Sequence, residues 1–149
     1  MAGFVLSSPT FTEGGAIPTK HTCDGENLSP ALAWEGAPSG AQAFALIVED
    51  PDAHGFVHWV AFDIPGIAAG ALPEGVGPAD LPQGRTGFGR SGYGGPCPPS
   101  GTHHYVFTFY ALSRRLALGG SPTAAELRLA MAGLVVGETR LTGTYTRRR

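Results

Sequence analysis

Ala43-Phe44-Ala45-Leu46-Ile47-Val48-Glu49-Asp50-Pro51-Asp52-Ala53-His54-Gly55-Phe56-Val57-His58-Trp59-Val60-Ala61-Phe62 is the stretch on which the reading of this chain turns. Ala43 to Val48 is apolar almost without interruption and Val60-Ala61-Phe62 is a second apolar run, so both read as strands covered on each face. Between them Asp50, Asp52, His54 and His58 crowd onto one turn. Successive strand side chains alternate, so Phe44, Leu46 and Val48 share a face and Asp50 takes the next position on it. A carboxylate that ends a buried apolar row needs a partner, because an unpaired buried charge is expensive. His58 is the nearest candidate in sequence. Asp50 also suits the ordinary task of capping the Pro51 turn through its side chain. The two acids and two imidazoles together point instead to a site.

Length and composition bound what that site serves. The 149 residues and 15.4 kDa suit one domain over residues 1–149, large enough to bury a core without staples. An apolar fraction of 42% is ordinary for a soluble globular protein, and no apolar run has membrane-spanning length. A formal net charge of −2 and a pI near 6.2 give no electrostatic footprint for nucleic acid. The closing Arg147-Arg148-Arg149 reads as a solvated end. Twenty-three glycines and 13 prolines are spread along the chain, the pattern of many short strands and shaped loops, so the class is mainly β. Met1-Ala2-Gly3-Phe4 opens no basic region followed by a long apolar stretch, which makes a cytoplasmic location the expectation. Cys23 and Cys97 are too few for a disulfide framework or a structural zinc site. Free thiols are expected, with a single bridge left open.

Along the chain, Phe4-Val5-Leu6 predicts a short first strand, and Phe11 to Ile17, broken at Gly14-Gly15, a hairpin. Thr22 to Pro30 is a shaped loop, Leu32-Ala33-Trp34 a brief strand, Ala41 to Glu49 a long central one and His58 to Ile64 its partner. Strict alternation sets His58 with Val60 and Phe62, and Trp59 with Ala61 and Asp63. Residues 66–101 show little periodicity, and a gap of that length carries function or hides short strands. Tyr105 to Leu112 is a strand apolar on both faces, and Arg140 to Tyr145 is the last. One helix is expected after Pro122, with Ser121 or Thr123 as cap, a Thr123–Glu126 capping box, and Leu127, Ala130, Met131 and Leu134 at helical spacing.

Several motifs fail on context. Gly87-Phe88-Gly89-Arg90-Ser91-Gly92 matches a dinucleotide fingerprint in spelling, but Pro82-Gln83-Gly84 precedes it where a strand is needed and Gly94-Gly95-Pro96 follows where a helix is needed. Ser91 lacks the nucleophile-elbow pattern. Asp50, Asp52, His58 and His103 are suitable metal ligands in kind, without the spacing of a metal helix. Cys97 has prolines beside it and no adjacent cation to activate a thiolate. Gly92 to Tyr105 is more informative. Its glycines let backbone approach a ligand, its prolines stiffen the loop, and backbone N–H groups so arranged favour anions. His103 and His104 enter a strand and must point to opposite faces, so one at most reaches a given pocket, and His104 is expected to be hydrogen-bonded in the sheet or exposed to water.

These motifs, in order, resemble those of the phosphatidylethanolamine-binding protein family, in its bacterial and archaeal branch of Raf kinase inhibitor-like proteins. The likeness is carried by Cys23-Asp24-Gly25-Glu26-Asn27-Leu28-Ser29-Pro30 with Trp34, Asp50-Pro51-Asp52-Ala53, His58-Trp59 with Ile64-Pro65, Gly92-Tyr93-Gly94-Gly95-Pro96 through His103-His104-Tyr105, and Gly143-Thr144-Tyr145. The resemblance implies two antiparallel sheets with Greek-key connections plus one or two short peripheral helices. It further implies a small pocket for phosphate, acetate or phosphorylethanolamine-like anions, formed by Asp50, His58, Gly95, Pro96, His103 and Tyr105 and supported by Asp52 and Trp59. His54 stands where the family has a second proline, and Leu134 where related sequences often have histidine.

The expected function is a soluble binding module with no catalytic residue, cofactor or metal. In it His58 and His103 donate to the anion, Gly94-Gly95 amides complete the cradle, and Asp50 orients a histidine. A kinase or protease partner and a homodimer follow from the resemblance only. The alternative is a hydrolase or metal-dependent enzyme using the same His/Asp pocket.

Overall fold

The computed structural model describes residues 3–147. Four strands form the larger sheet, in the order β4-β3-β6-β7, from β3 (Ala43–Asp50), β4 (Phe56–Pro65), β6 (Gly101–Leu112) and β7 (Val135–Arg147). A second sheet, ordered β1-β2-β5, joins β1 (Val5–Ser7), β2 (Leu32–Glu35) and β5 (Gly70–Leu72). All named pairings are antiparallel. From β4 at one edge the chain crosses to β5 in the other sheet and returns as β6 beside β3, the Greek-key kind of return.

The larger sheet is covered twice, which is why its strands read as unbroken apolar runs. On one face Phe44, Leu46, Val48, Trp59, Ala61, Phe107 and Phe109 meet Leu6, Leu32, Trp34 and Leu72 of the smaller sheet. On the other, Ala45, Ile47, Val60, Phe62 and Leu112 meet α1 (Ala124–Met131) through Ala124, Leu127 and Met131. The helix starts on the expected capping box: Thr123 Oγ1 accepts from Glu126 N at 3.1 Å, and Glu126 Oε1 accepts from Thr123 N at 2.8 Å. It stops at Met131, so Leu134 lies beyond it and packs on the same cluster from the following turn.

Other expectations shift. Phe11 to Ile17 is not a hairpin. It lies along the outer edge of β7, with Gly14 N donating to Thr142 O and Ile17 N to Thr144 O at 2.7 Å each. A side chain at Gly143 would collide with Ile17 and Phe11, so the close approach needs that glycine. β7 is longer than Arg140 to Tyr145 because β6 pairs with it from Gly101 to Leu112. The gap over residues 66–101 hides β5 and isolated bridges such as Ala61 to Gln83. Cys23 and Cys97 are joined in a disulfide, correcting the expectation of free thiols. Arg147 is not a frayed end either, since its guanidinium pairs with Asp24 at 3.1 Å. Arg148 and Arg149 lie outside the described residues.

Candidate functional site

Asp50 ends the Phe44-Leu46-Val48 row as alternation requires, and it is 2% exposed. Both oxygens are engaged. Oδ1 accepts from Asp52 N at 2.8 Å, which caps the 3-10 turn at Pro51–Ala53, and Oδ2 lies 2.6 Å from His103 Nδ1. The partner is therefore His103, from a neighbouring strand, and not His58 as sequence proximity suggested. The turn capped by Asp50 ends at His54, in the left-handed region with φ 57°, followed by Gly55 at φ 79°. His54 is exposed outside the cavity lining.

His58 reaches the same place by a break in register. Val48 pairs with Trp59 but Glu49 with Val57, which leaves His58 as the extra residue of a β-bulge. A bulge turns two successive side chains toward one face. Val57 and Val60 pack on the helix side, Trp59 packs between the sheets, and His58 sets its ring edge-on to Tyr105 at 5.1 Å. Strict alternation would have carried His58 to the helix side with Val60 and Phe62. Its Nδ1 lies 2.7 Å from Gly94 O, and since a carbonyl only accepts, Nδ1 carries the proton. Gly94 N donates back to His58 O at 2.9 Å, so strand and loop are locked together at this point. Burial lowers the His58 pKa, opposed by the bond to Gly94 and by the Asp50 charge.

β6 separates the adjacent histidines by face. His103 turns inward to Asp50, while His104 is exposed, its amide donating to Asp52 Oδ2 at 2.7 Å and its Nδ1 lying 2.8 Å from the same oxygen. Those bonds hold the Asp52 carboxyl below its ordinary pKa and tie the Pro51 turn to β6. Tyr105, next on the inner face, is 1% exposed, and its hydroxyl is buried without a hydrogen-bond partner. Burial, reinforced by the Asp50 charge, raises its pKa well above that of a free phenol, so it stays a donor.

Asp50, His58, His103 and Tyr105 line a cavity of about 420 Å³ together with Ala53, Phe56, Gly87, Phe88, Cys97, Pro98 and Pro99. Gly95 and Pro96, expected in the cradle, do not line it. Gly95 N donates to Asn27 Oδ1 at 2.8 Å and Pro96 O accepts from Cys23 N at 3.1 Å, so this part of the loop faces the Cys23–Pro30 loop. Any side chain at Gly95 would strike the His21 carbonyl, so the close approach its glycine permits is to the protein itself. The Gly94 and Gly95 amides are thus both occupied, which corrects their expected role as anion donors. Trp59 lies in the core with Nε1 donating to Gln83 Oε1 at 2.7 Å, away from the cavity lining. Among the described residues no group of three or more His, Cys, Asp or Glu is placed to hold a metal ion.

Sequence reasoning passed over Phe56 and Phe88, whose rings meet edge-on at 4.9 Å and cover His58. An aromatic residue between Gly87 and Gly89 was the available signal, masked by the fingerprint-like spelling around it. The Cys97-Pro98-Pro99 wall is fastened by the disulfide to Cys23, and both cysteines are exposed.

A family model described as phosphatidylethanolamine-binding protein matches residues 7–146. A UPF0098 protein of Methanothermobacter thermautotrophicus is 46% identical, covering 95% of this chain and 98% of its own. A protein provisionally named lipoprotein LppC, from Mycobacterium tuberculosis, is 42% identical over 94% of this chain and 71% of its own length. The crystal structure of CT736 from Chlamydia trachomatis, provisionally described as a homolog of the same family, superposes with a TM-score of 0.92. It is 33% identical and covers 99% of both chains.

Proposed function

The chain belongs to the phosphatidylethanolamine-binding protein family, and from that premise we propose that it is a binding module whose Asp50–His103 cavity holds a small oxyanion such as a phosphate, a carboxylate or a phosphorylated headgroup. The observation that carries this reading is the Tyr105 hydroxyl, a buried donor without a partner at a cavity edged by two imidazoles. Leaving such a group unsatisfied costs about 1–3 kcal/mol, a cost that an acceptor arriving with the ligand removes. Phe56, Phe88, Pro98 and Pro99 add an apolar rim suited to the organic part of such a ligand. Calorimetric titration with inorganic phosphate and with acetate tests it. Saturable binding at one site per chain, lost in His103→Ala, is expected; no heat from either anion contradicts it.

A second reading, hydrolysis by a water activated at His103, draws on the 2.6 Å Asp50–His103 contact, which orients a histidine as a general base is oriented. It predicts turnover of a phosphate or carboxylate ester that disappears in His103→Ala. A screen without turnover in the wild-type chain removes it.

Among the described residues no helix is long and apolar enough to cross a membrane. We place the working chain in an oxidising compartment rather than the expected cytoplasm. Exposed disulfides are rare among cytosolic reductants, and one relative bears a lipoprotein name. Thiol titration of protein isolated without reductant checks this: no free thiol is expected, and two would return the chain to the cytosol.

A further inference from the structure

The two sulfurs of the disulfide sit in unlike surroundings. Cys23 and Cys97 are both exposed, so a thiol in solution can reach the bridge. Cys97 Sγ accepts from Arg147 Nη1 at 3.4 Å, and the same nitrogen lies 3.5 Å from Pro98 O. Arg147 Nη2 pairs with Asp24 Oδ1 at 3.1 Å, while Asp24 Oδ2 accepts from Tyr145 Oη at 2.6 Å, so an anchored carboxylate holds the cation against Cys97. Cys23 has that carboxylate as its next residue in the chain. A thiolate released at Cys97 therefore meets a fixed positive charge, and one released at Cys23 an adjacent negative one. Thiol–disulfide exchange runs faster toward the better-stabilised leaving thiolate.

We propose that the Cys23–Cys97 bridge is a directional thiol-exchange site whose opening releases the loop wall of the cavity. The thiolate of a small-molecule monothiol attacks Cys23 Sγ, the bond between the two protein sulfurs breaks, and its electron pair leaves on Cys97 Sγ beside Arg147. The product is a mixed disulfide at Cys23 and a thiolate at Cys97. A second thiolate of the same kind then attacks the sulfur of the bound thiol and departs with it as a disulfide, and Cys23 takes a proton from water. Two thiols are oxidised and the bridge is reduced. What the bridge holds is short. Before it, Tyr93 Oη donates to His21 O, Gly95 N to Asn27 Oδ1 and Cys23 N to Pro96 O, bonds that survive the exchange. After it, β6 pairs with β7 from Gly101 onward. Exchange thus loosens residues 97–100, among them the Cys97, Pro98 and Pro99 of the cavity lining, and leaves the strand wall in place. In an oxidising compartment the bridged form is the resting one, and an arriving thiol opens the wall.

Brief exposure of the oxidised wild-type chain to excess glutathione, followed by acid quenching, labelling with a maleimide and peptide mass mapping, tests this. Glutathione is expected on Cys23 and maleimide on Cys97, in excess over the reverse arrangement by roughly tenfold. An even partition, glutathione mainly on Cys97, or no exchange in the folded chain overturns the proposal. In Arg147→Gln the partition should move toward even, a readout that a merely structural role for the arginine would not shift. An unchanged partition in that variant overturns the assignment of direction. Nuclear magnetic resonance of the fully reduced wild-type chain checks the release of the wall. Shifts should be confined to residues 22–24 and 97–100 and to the Phe88 and Tyr105 rings that share the cavity with Cys97. Changes spread through β3 and β6, or none beyond the two cysteines, contradict it.

Discussion

The two walls of the cavity are built by different means. One consists of strand residues, Asp50 on β3, His58 on β4, and His103 and Tyr105 on β6, held by ladder bonds between strands buried on both faces. The other consists of loop residues, Gly87, Phe88, Cys97, Pro98 and Pro99, held by a disulfide and by bonds from side chains to backbone such as Tyr93 Oη to His21 O at 2.7 Å. The strand wall carries the groups that donate, accept and hold charge. The loop wall contributes apolar surface and closure. Chemistry and fit are thus separable here, and a change to either wall should leave a recognisable trace.

The largest effect should come from breaking the loop wall. The disulfide spans a sequence separation of 74, and closing a loop of that order stabilises the fold by about 4 kcal/mol in the chain-entropy treatment. The double variant Cys23→Ser, Cys97→Ser should lose that much in urea unfolding, with amide exchange quickening in the 92–99 loop while β3 and β6 stay protected. Loss of protection across the strands would show that the walls are not separable.

Asp50→Ala attacks the strand wall. It removes the cap on the Pro51 turn and the partner of His103 together, and breaking a buried charged pair costs about 3 kcal/mol. Anion binding should vanish with it. A stable variant that still binds would reassign Asp50 to turn formation alone.

The pH dependence tests His58. Its folded pKa lies below the ordinary 6.5, so the unfolded chain takes up a proton first as pH falls. Stability from this group is fully present above the unfolded value and is lost as pH drops through the folded one. Melting temperatures taken from about pH 7.5 to about pH 5 should decline, and His58→Gln, which can still donate to Gly94 O, should flatten that decline. An unchanged slope would mean that other groups set it.

The smallest loss of stability belongs to Tyr105→Phe. The hydroxyl it removes is buried without a partner, so unfolding free energy should not fall and should rise by up to about 1–3 kcal/mol. Phosphate affinity should nevertheless fall. A variant that binds as the wild type does would take the tyrosine out of the site.

The strand wall was the part legible in the sequence. The apolar run Ala43 to Val48 located β3, alternation placed Asp50 at the end of its inner row, and the same rule sent His103 and His104 to opposite faces. The capping box at Thr123 and Glu126 was equally plain because it is local. What stayed hidden is relational. The bulge at His58 is a mismatch of register between two strands, with no glycine or proline to mark it. The pairing of Cys23 with Cys97 joins loops far apart in sequence. Gly94 and Gly95 announced a close approach correctly but not its target, which is His58 and the Cys23–Pro30 loop rather than a ligand. Phe88 was obscured by glycines that spelled another motif.

One anion site is expected where the two walls meet. Titration of isotopically labelled protein with inorganic phosphate, followed by nuclear magnetic resonance, tests it most directly. The predicted result is a saturable set of shifts confined to Asp50–His58, Gly87–Phe88 and Cys97–Tyr105, with the His58 and His103 rings among the strongest. Shifts centred instead on the cleft beside Arg85 and Arg128 at the start of α1, or no shifts at all, would contradict it.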